Sequence, residues 1–82
     1  METKDVVIGN RQIKLKEISY LDFLKLVKLK DNLEDYTRQL FEFSGIAKEI
    51  YESFSVSEGN KVIDEINSLN NFTNFQADSS QH

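Results

Sequence analysis

An 82-residue chain is about half a typical domain, so it holds one small folding unit and no separate substrate domain. There is no cysteine and the single histidine is His82, which excludes disulfides and thiolate metal sites and nearly excludes His-based catalysis or metal clusters. The formal charge of −4 conceals a division: residues 1–30 carry seven Lys/Arg against four Asp/Glu and residues 31–82 three against ten, giving halves of +3 and −7.

Val6 to Leu15 forms two alternating apolar segments around Gly9-Asn10, the signature of a hairpin with a two-residue turn over about residues 5–16. Ile13 and Leu15 point one way while Gln12, Lys14 and Lys16 point the other, so later elements must cover the apolar face. Ser19 and Asp22 have the spacing of a capping box and predict a helix over 20–30, with Tyr20, Leu24 and Val27 on one stripe widened by Leu21 and Phe23. Asp31-Asn32 breaks it, and Asn32 suits the cap of a second helix over 33–43, where Leu33, Tyr36, Leu40 and Phe43 share a face.

Ser44-Gly45 closes that helix, since glycine takes the left-handed conformation that ends helices. A short third helix over 46–54 carries Ile46, Ile50, Tyr51 and Phe54. Ser55 or Ser57 caps a fourth over 58–72, with Val62, Ile63, Ile66 and Leu69 at helical spacing and Gly59 suggesting a start as late as Asn60. Residues 76–82 are polar and without period, which reads as a flexible tail. The expected fold is mainly α with a short N-terminal β-hairpin (α+β), about four short helices around one small core, in a single domain over residues 1–75.

Catalytic signals are absent from the pattern. Glu34/Asp35 and Asp64/Glu65 are sequence neighbours that face different ways on a helix, and no serine lies in a Gly-x-Ser-x-Gly turn or has an internal histidine to activate it. No glycine loop could cradle a phosphate, so no cofactor or small-molecule substrate is expected. Lys14, Lys16, Lys25, Lys28 and Lys30 alternate with aliphatic residues, which reads as the solvated face of the hairpin and first helix and not as a nucleic-acid footprint. A sharper reading pairs the basic end of one copy with the acidic end of the next, head to tail. Apolar runs reach only three residues against about 20 for a membrane span, so a soluble protein without a membrane partner is expected.

Six Phe and three Tyr are many for so small an interior. Phe72 and Phe75, beside Asn70-Asn71, are the aromatics expected at the surface, and with Tyr51 and Phe54 they form the candidate partner-binding edge of the last helices.

The order of these elements resembles the phage tail assembly chaperones. The resemblance rests on Val6-x-Ile8-Gly9-Asn10-x-x-Ile13-x-Leu15, on the helix start at Ile18, Ser19, Asp22 and Phe23, on Phe43-Ser44-Gly45-Ile46, and on Ser55-Val56-Ser57 with a last helix ending in Asn71-Phe72. It spans about residues 5–75, and the usual acidic, alanine-rich composition of that family is missing. It implies a non-enzymatic helical protein in the cytoplasm of a bacterial host cell that binds the long tape-measure protein, in many copies along one client, and keeps it soluble during tail assembly. A small acidic adaptor or regulatory inhibitor, or a minor structural component of a tail, would suit the same composition.

Overall fold

Residues 2–71 are described by a computed structural model. Thr3–Ile8 (β1) and Arg11–Lys16 (β2) pair antiparallel, and Ile8 opposite Arg11 leaves Gly9-Asn10 as the two-residue turn. Gly9 has φ +63° while Asn10 keeps a negative φ, the pattern of the hairpin turn that takes glycine first because its twist matches the strands. The strand pair begins two residues earlier than the sequence pattern suggests. The Glu17 N–H donates to the Glu2 carbonyl and the Glu2 N–H to Glu17 Oε1, which extends the ladder past the apolar alternation.

Alternation places Val6, Ile8, Ile13 and Leu15 on one side of this ribbon, each no more than 6% exposed, while Val7 and the lysines face water. Four helices follow: Tyr20–Val27 (α1), Leu33–Phe43 (α2), Lys48–Tyr51 (α3) and Val56–Leu69 (α4). The α+β architecture is as expected, with α4 packed on β1, α1 on α2 and α2 on α3. Leu26, Leu40, Phe41, Ile46, Tyr51, Val62 and Ile66 meet the hairpin face in one core.

Local chemistry sets most boundaries. Asn32 Oδ1 accepts from the Asp35 N–H at 3.1 Å, and α2 spans the residues its periodicity predicts. The capping box is found at α4, where Ser55 Oγ accepts from the Glu58 N–H at 3.1 Å and Glu58 Oε1 from the Ser55 N–H at 2.9 Å. The helix therefore starts at Val56, before both 58 and Asn60, and Gly59 lies inside it. At α1 only half of the expected box forms: Ser19 Oγ accepts from the Asp22 N–H at 3.2 Å, while the Asp22 carboxylate turns to Lys25 Nζ at 3.8 Å.

Three helices are shorter than their patterns. α1 ends at Val27, because Leu29, Lys30 and Asn32 donate to carbonyls three residues back in tight turns. α3 is one turn, since the Ile46 N–H donates to the Phe41 carbonyl and Ile46 belongs to the connection. α4 stops at Leu69, where Asn70 caps and Asn71 turns left-handed at φ 62°. The expected tail and the aromatic positions Phe72 and Phe75 lie outside the described residues.

Two polar ties lock the layers. Ser44 is fully buried at the end of α2; its Oγ donates to the Leu40 carbonyl at 2.8 Å and its own carbonyl accepts from the Lys16 N–H at 3.0 Å, fixing α2 to β2. Asn70 Oδ1 accepts from the Ile18 N–H at 2.7 Å while its Nδ2 donates to the Ile66 carbonyl at 2.9 Å, fixing the end of α4 to the start of α1. Lys4 and Glu65 add a 2.6 Å ion pair between β1 and α4, but both ends are solvated and its contribution is small.

Two glycines test this geometry in opposite directions. Gly45 has φ +92°, so Gly45→Ala is expected to lower stability by about 1–2 kcal/mol. Gly59 is helical, with nothing within 4 Å of where a Cβ would stand, so Gly59→Ala is expected to raise it by about 0.5–1 kcal/mol. Urea midpoints read both, and equal signs for the two variants would contradict the assignment.

Candidate functional site

Six of the eight residues of α1 are apolar or aromatic, more than one buried stripe can absorb. The ties at Ser19 and Ile18 fix the rotation of the helix, and Leu26 is the side chain that enters the core. The predicted core stripe is instead the outer face: Tyr20 is 72% exposed, Leu21 70%, Leu24 39% and Val27 42%. Leu33, expected on the core face of α2, is also exposed, and the inward face is carried by Leu40 and Phe41.

Of these, Val27 and Leu33 line a groove of about 580 Å³ between α1 and α2, together with Phe23, Lys30 and Tyr36. Its walls are apolar except for Lys30 and the Tyr36 phenol, which burial pushes above its ordinary value. Leu33 also lines a second groove, of about 410 Å³, where α2 and the loop after α3 approach α4. Thr37, Phe41, Phe54, Val56 and Ile63 face this second space, so one apolar surface runs across Leu33 from α1 to α4.

Of the aromatics singled out from sequence, the structure brings Tyr51 and Phe54 together around Phe41. Phe41 lies 5.5 Å from Tyr51 and 5.6 Å from Phe54, the latter edge-to-face, with the Arg11 guanidinium 5.6 Å over the Phe54 ring. Arg11 Nη1 is held by Ser53 Oγ at 2.8 Å. Tyr51 is buried in the core and its hydroxyl donates to Glu42 Oε2 at 2.6 Å; that bond, with desolvation, holds the phenol above its ordinary value. Phe54 is half-buried and keeps an open side toward the second groove. The exposed face of α1 and Leu33 were missed as site residues because helical spacing alone was assigned to the core. The signal available was the apolar excess of α1.

Lys14 and Lys16 lie on the outer face of the hairpin, while Lys25, Lys28 and Lys30 lie on or just after α1, so the basic residues belong to two solvated elements. Among the described residues no three His, Cys, Asp or Glu gather as metal ligands, and no helix is long and apolar enough to cross a membrane. No buried side-chain nitrogen or oxygen among them lacks a hydrogen-bond partner. No family model matches the chain, and no curated protein or solved structure matches it significantly.

The raised phenols give a signed pH dependence. A folded-state value above the unfolded one, near 10, means the stabilisation is complete below about pH 10 and is lost as pH rises through the folded values. Tyr51→Phe removes one such group, so its urea midpoint is expected to fall less steeply than that of the wild type between pH 9 and 11. Parallel slopes would refute the role of the Tyr51–Glu42 bond.

Proposed function

We propose that this protein is a non-enzymatic binding protein whose α1–α2 groove, continued across Leu33, receives an apolar helical segment of a client protein. The observation that carries the reading is the exposed stripe of Tyr20, Leu24 and Val27 beside an apolar groove, in a chain with little apolar surface to spare. A monomeric soluble domain gains nothing in folding from leaving these side chains in water, and contiguous apolar surface of this kind suits a partner. An amphipathic helix laid in the groove would place anchors at i, i+3, i+4 and i+7 against Phe23, Val27, Leu33 and Tyr36.

The resemblance to tail assembly chaperones supplies the client: the tape-measure protein, a long and partly apolar helical chain held soluble in the bacterial cytoplasm until tail-tube subunits enclose it. Many copies, each bound weakly through one groove, would hold such a client by avidity. The acidic half of the chain would keep the coated complex soluble by mutual repulsion. No nucleic acid, membrane, small-molecule substrate or cofactor enters this mechanism.

Co-expression with the tape-measure protein is the direct test, with the client recovered in the soluble fraction only when this protein is present. Leu33→Asp and Val27→Asp alter exposed side chains and are expected to leave the urea midpoint nearly unchanged while weakening client binding at least tenfold, which is about 1.4 kcal/mol. A client equally soluble alone, or bound equally by both variants, would defeat the reading.

A further inference from the structure

Tyr20, Leu21, Leu24 and Val27 stand exposed along α1, and of these only Val27 lines the α1–α2 groove. With about 3.6 residues per turn, Tyr20, Leu21, Leu24 and Lys28 fall on the side opposite the buried Leu26. Val27 and Phe23 lie on one flank of that side, and Lys25 and Asp22 on the other. The Tyr20 and Phe23 rings are 6.2 Å apart, so the aromatic surface continues from the outer side into the Val27 flank. The groove accounts for one flank of α1 and leaves Tyr20, Leu21 and Leu24 without a role.

Charge is ordered along the same helix. Asp22 lies in its first turn, Lys25 in its last, and Lys28 and Lys30 just beyond it. A second α1 laid parallel on this side would set Asp22 against Asp22 and Lys25 against Lys25, two like-charge contacts. Laid antiparallel with the crossing at Leu24, it sets Asp22 of each copy against Lys25 of the other. The 3.8 Å pair that Asp22 and Lys25 make within one copy then becomes half of an alternating group of four charges. The same register lays Tyr20 on Val27 of the second copy, Leu24 on Leu24 across the axis, and Leu21 on the aliphatic stem of Lys28. Antiparallel helix dipoles favour this direction as well.

We propose that two copies of this chain pair through the outer side of α1, antiparallel and about a twofold axis beside Leu24. The side is its own complement, in the position of its apolar residues and in the sign of its charges, which is what selects a second copy as the occupant. A twofold contact uses the same patch on both chains and closes at two. The contact is small: α1 is about 12 Å long, and one face of it falls well short of the roughly 800 Å² per partner of a stable interface, so the dimer is weak and reversible. Phe23, Leu33 and Tyr36 lie off the pairing side and keep the groove open. Like flanks meet across a twofold antiparallel pair, so both grooves lie on one side of the dimer. That consequence, two client sites side by side, rests on the function proposed above; the pairing itself does not.

The test uses the full chain without a client. Sedimentation equilibrium from about 10 μM to about 1 mM is expected to show a reversible monomer–dimer equilibrium with no larger species. Leu21→Asp changes a side chain that is 70% exposed and does not line the groove, and is expected to raise the dimer dissociation constant at least tenfold with the helical circular-dichroism signal unchanged. In an equimolar mixture of labelled and unlabelled wild-type protein, an isotope-filtered measurement is expected to show nuclear Overhauser contacts from the Tyr20 ring to the Val27 methyl groups between molecules. Within one copy these residues are two turns, about 10 Å, apart, so the contact reports antiparallel pairing alone. A chain that stays monomeric, a species that grows beyond two, a dimer indifferent to Leu21→Asp, or a dimer without the Tyr20–Val27 contact would each overturn the proposal. Should Leu21→Asp lose its helical signal, the filtered contact in the wild type decides alone. None of these results bears on whether Leu33→Asp weakens client binding, so the two readings fail separately.

Discussion

A two-stranded ribbon has one face to hide and no second sheet to hide it against, and Val6, Ile8, Ile13 and Leu15 load that face fully. Covering it is the constraint on which the other elements depend. Val62 and Ile66, one turn apart and completely buried, lay α4 along the ribbon, while Leu40 and Phe41 bring α2. Each buried side chain contributes on the order of 1.5–3 kcal/mol, so the ribbon and its covering helices stand or fall together. With no disulfide to constrain the unfolded chain, that shared core is the main source of stability.

Once the cover is in place, the connections have little freedom. Ser44 satisfies two backbone groups in the interior, and Gly45 then turns the chain at φ +92°, where an added Cβ would stand in van der Waals contact with the Lys16 side chain. Asn70 uses both ends of its amide to join helix end to helix start. A buried peptide N–H left without a partner costs about 1–3 kcal/mol, so the Ser44 carbonyl and the Asn70 side chain help to determine where α2 and α1 sit alongside the apolar contacts.

The placement of α1 leaves four of its six apolar or aromatic side chains exposed. Only Leu26 of this strongly apolar helix is buried, and Phe23 and Val27, with Leu33, line a groove open to solvent. Tyr51, by contrast, is consumed by packing and by its bond to Glu42, while Phe54 divides its ring between the Arg11–Phe41 stack and the second groove. An aromatic at helical spacing can therefore serve either end, and the partner it meets in space settles which.

Local sequence chemistry was sufficient for the hairpin, its turn, the full extent of α2 and the existence and order of all four helices, because turn residues, caps and periodicity act over only a few residues. It also signalled an apolar excess in α1 greater than one buried stripe absorbs. Helix rotation and the lengths of α1, α3 and α4 were decided by tertiary structure. Whether Tyr20, Leu24 and Val27 or Leu26 faces inward depends on Asn70, which lies 52 residues from Ile18 along the chain and 2.7 Å from it in space. A periodic pattern states that a helix has an apolar side; which apolar side is buried is fixed by contacts that no local window of the sequence contains.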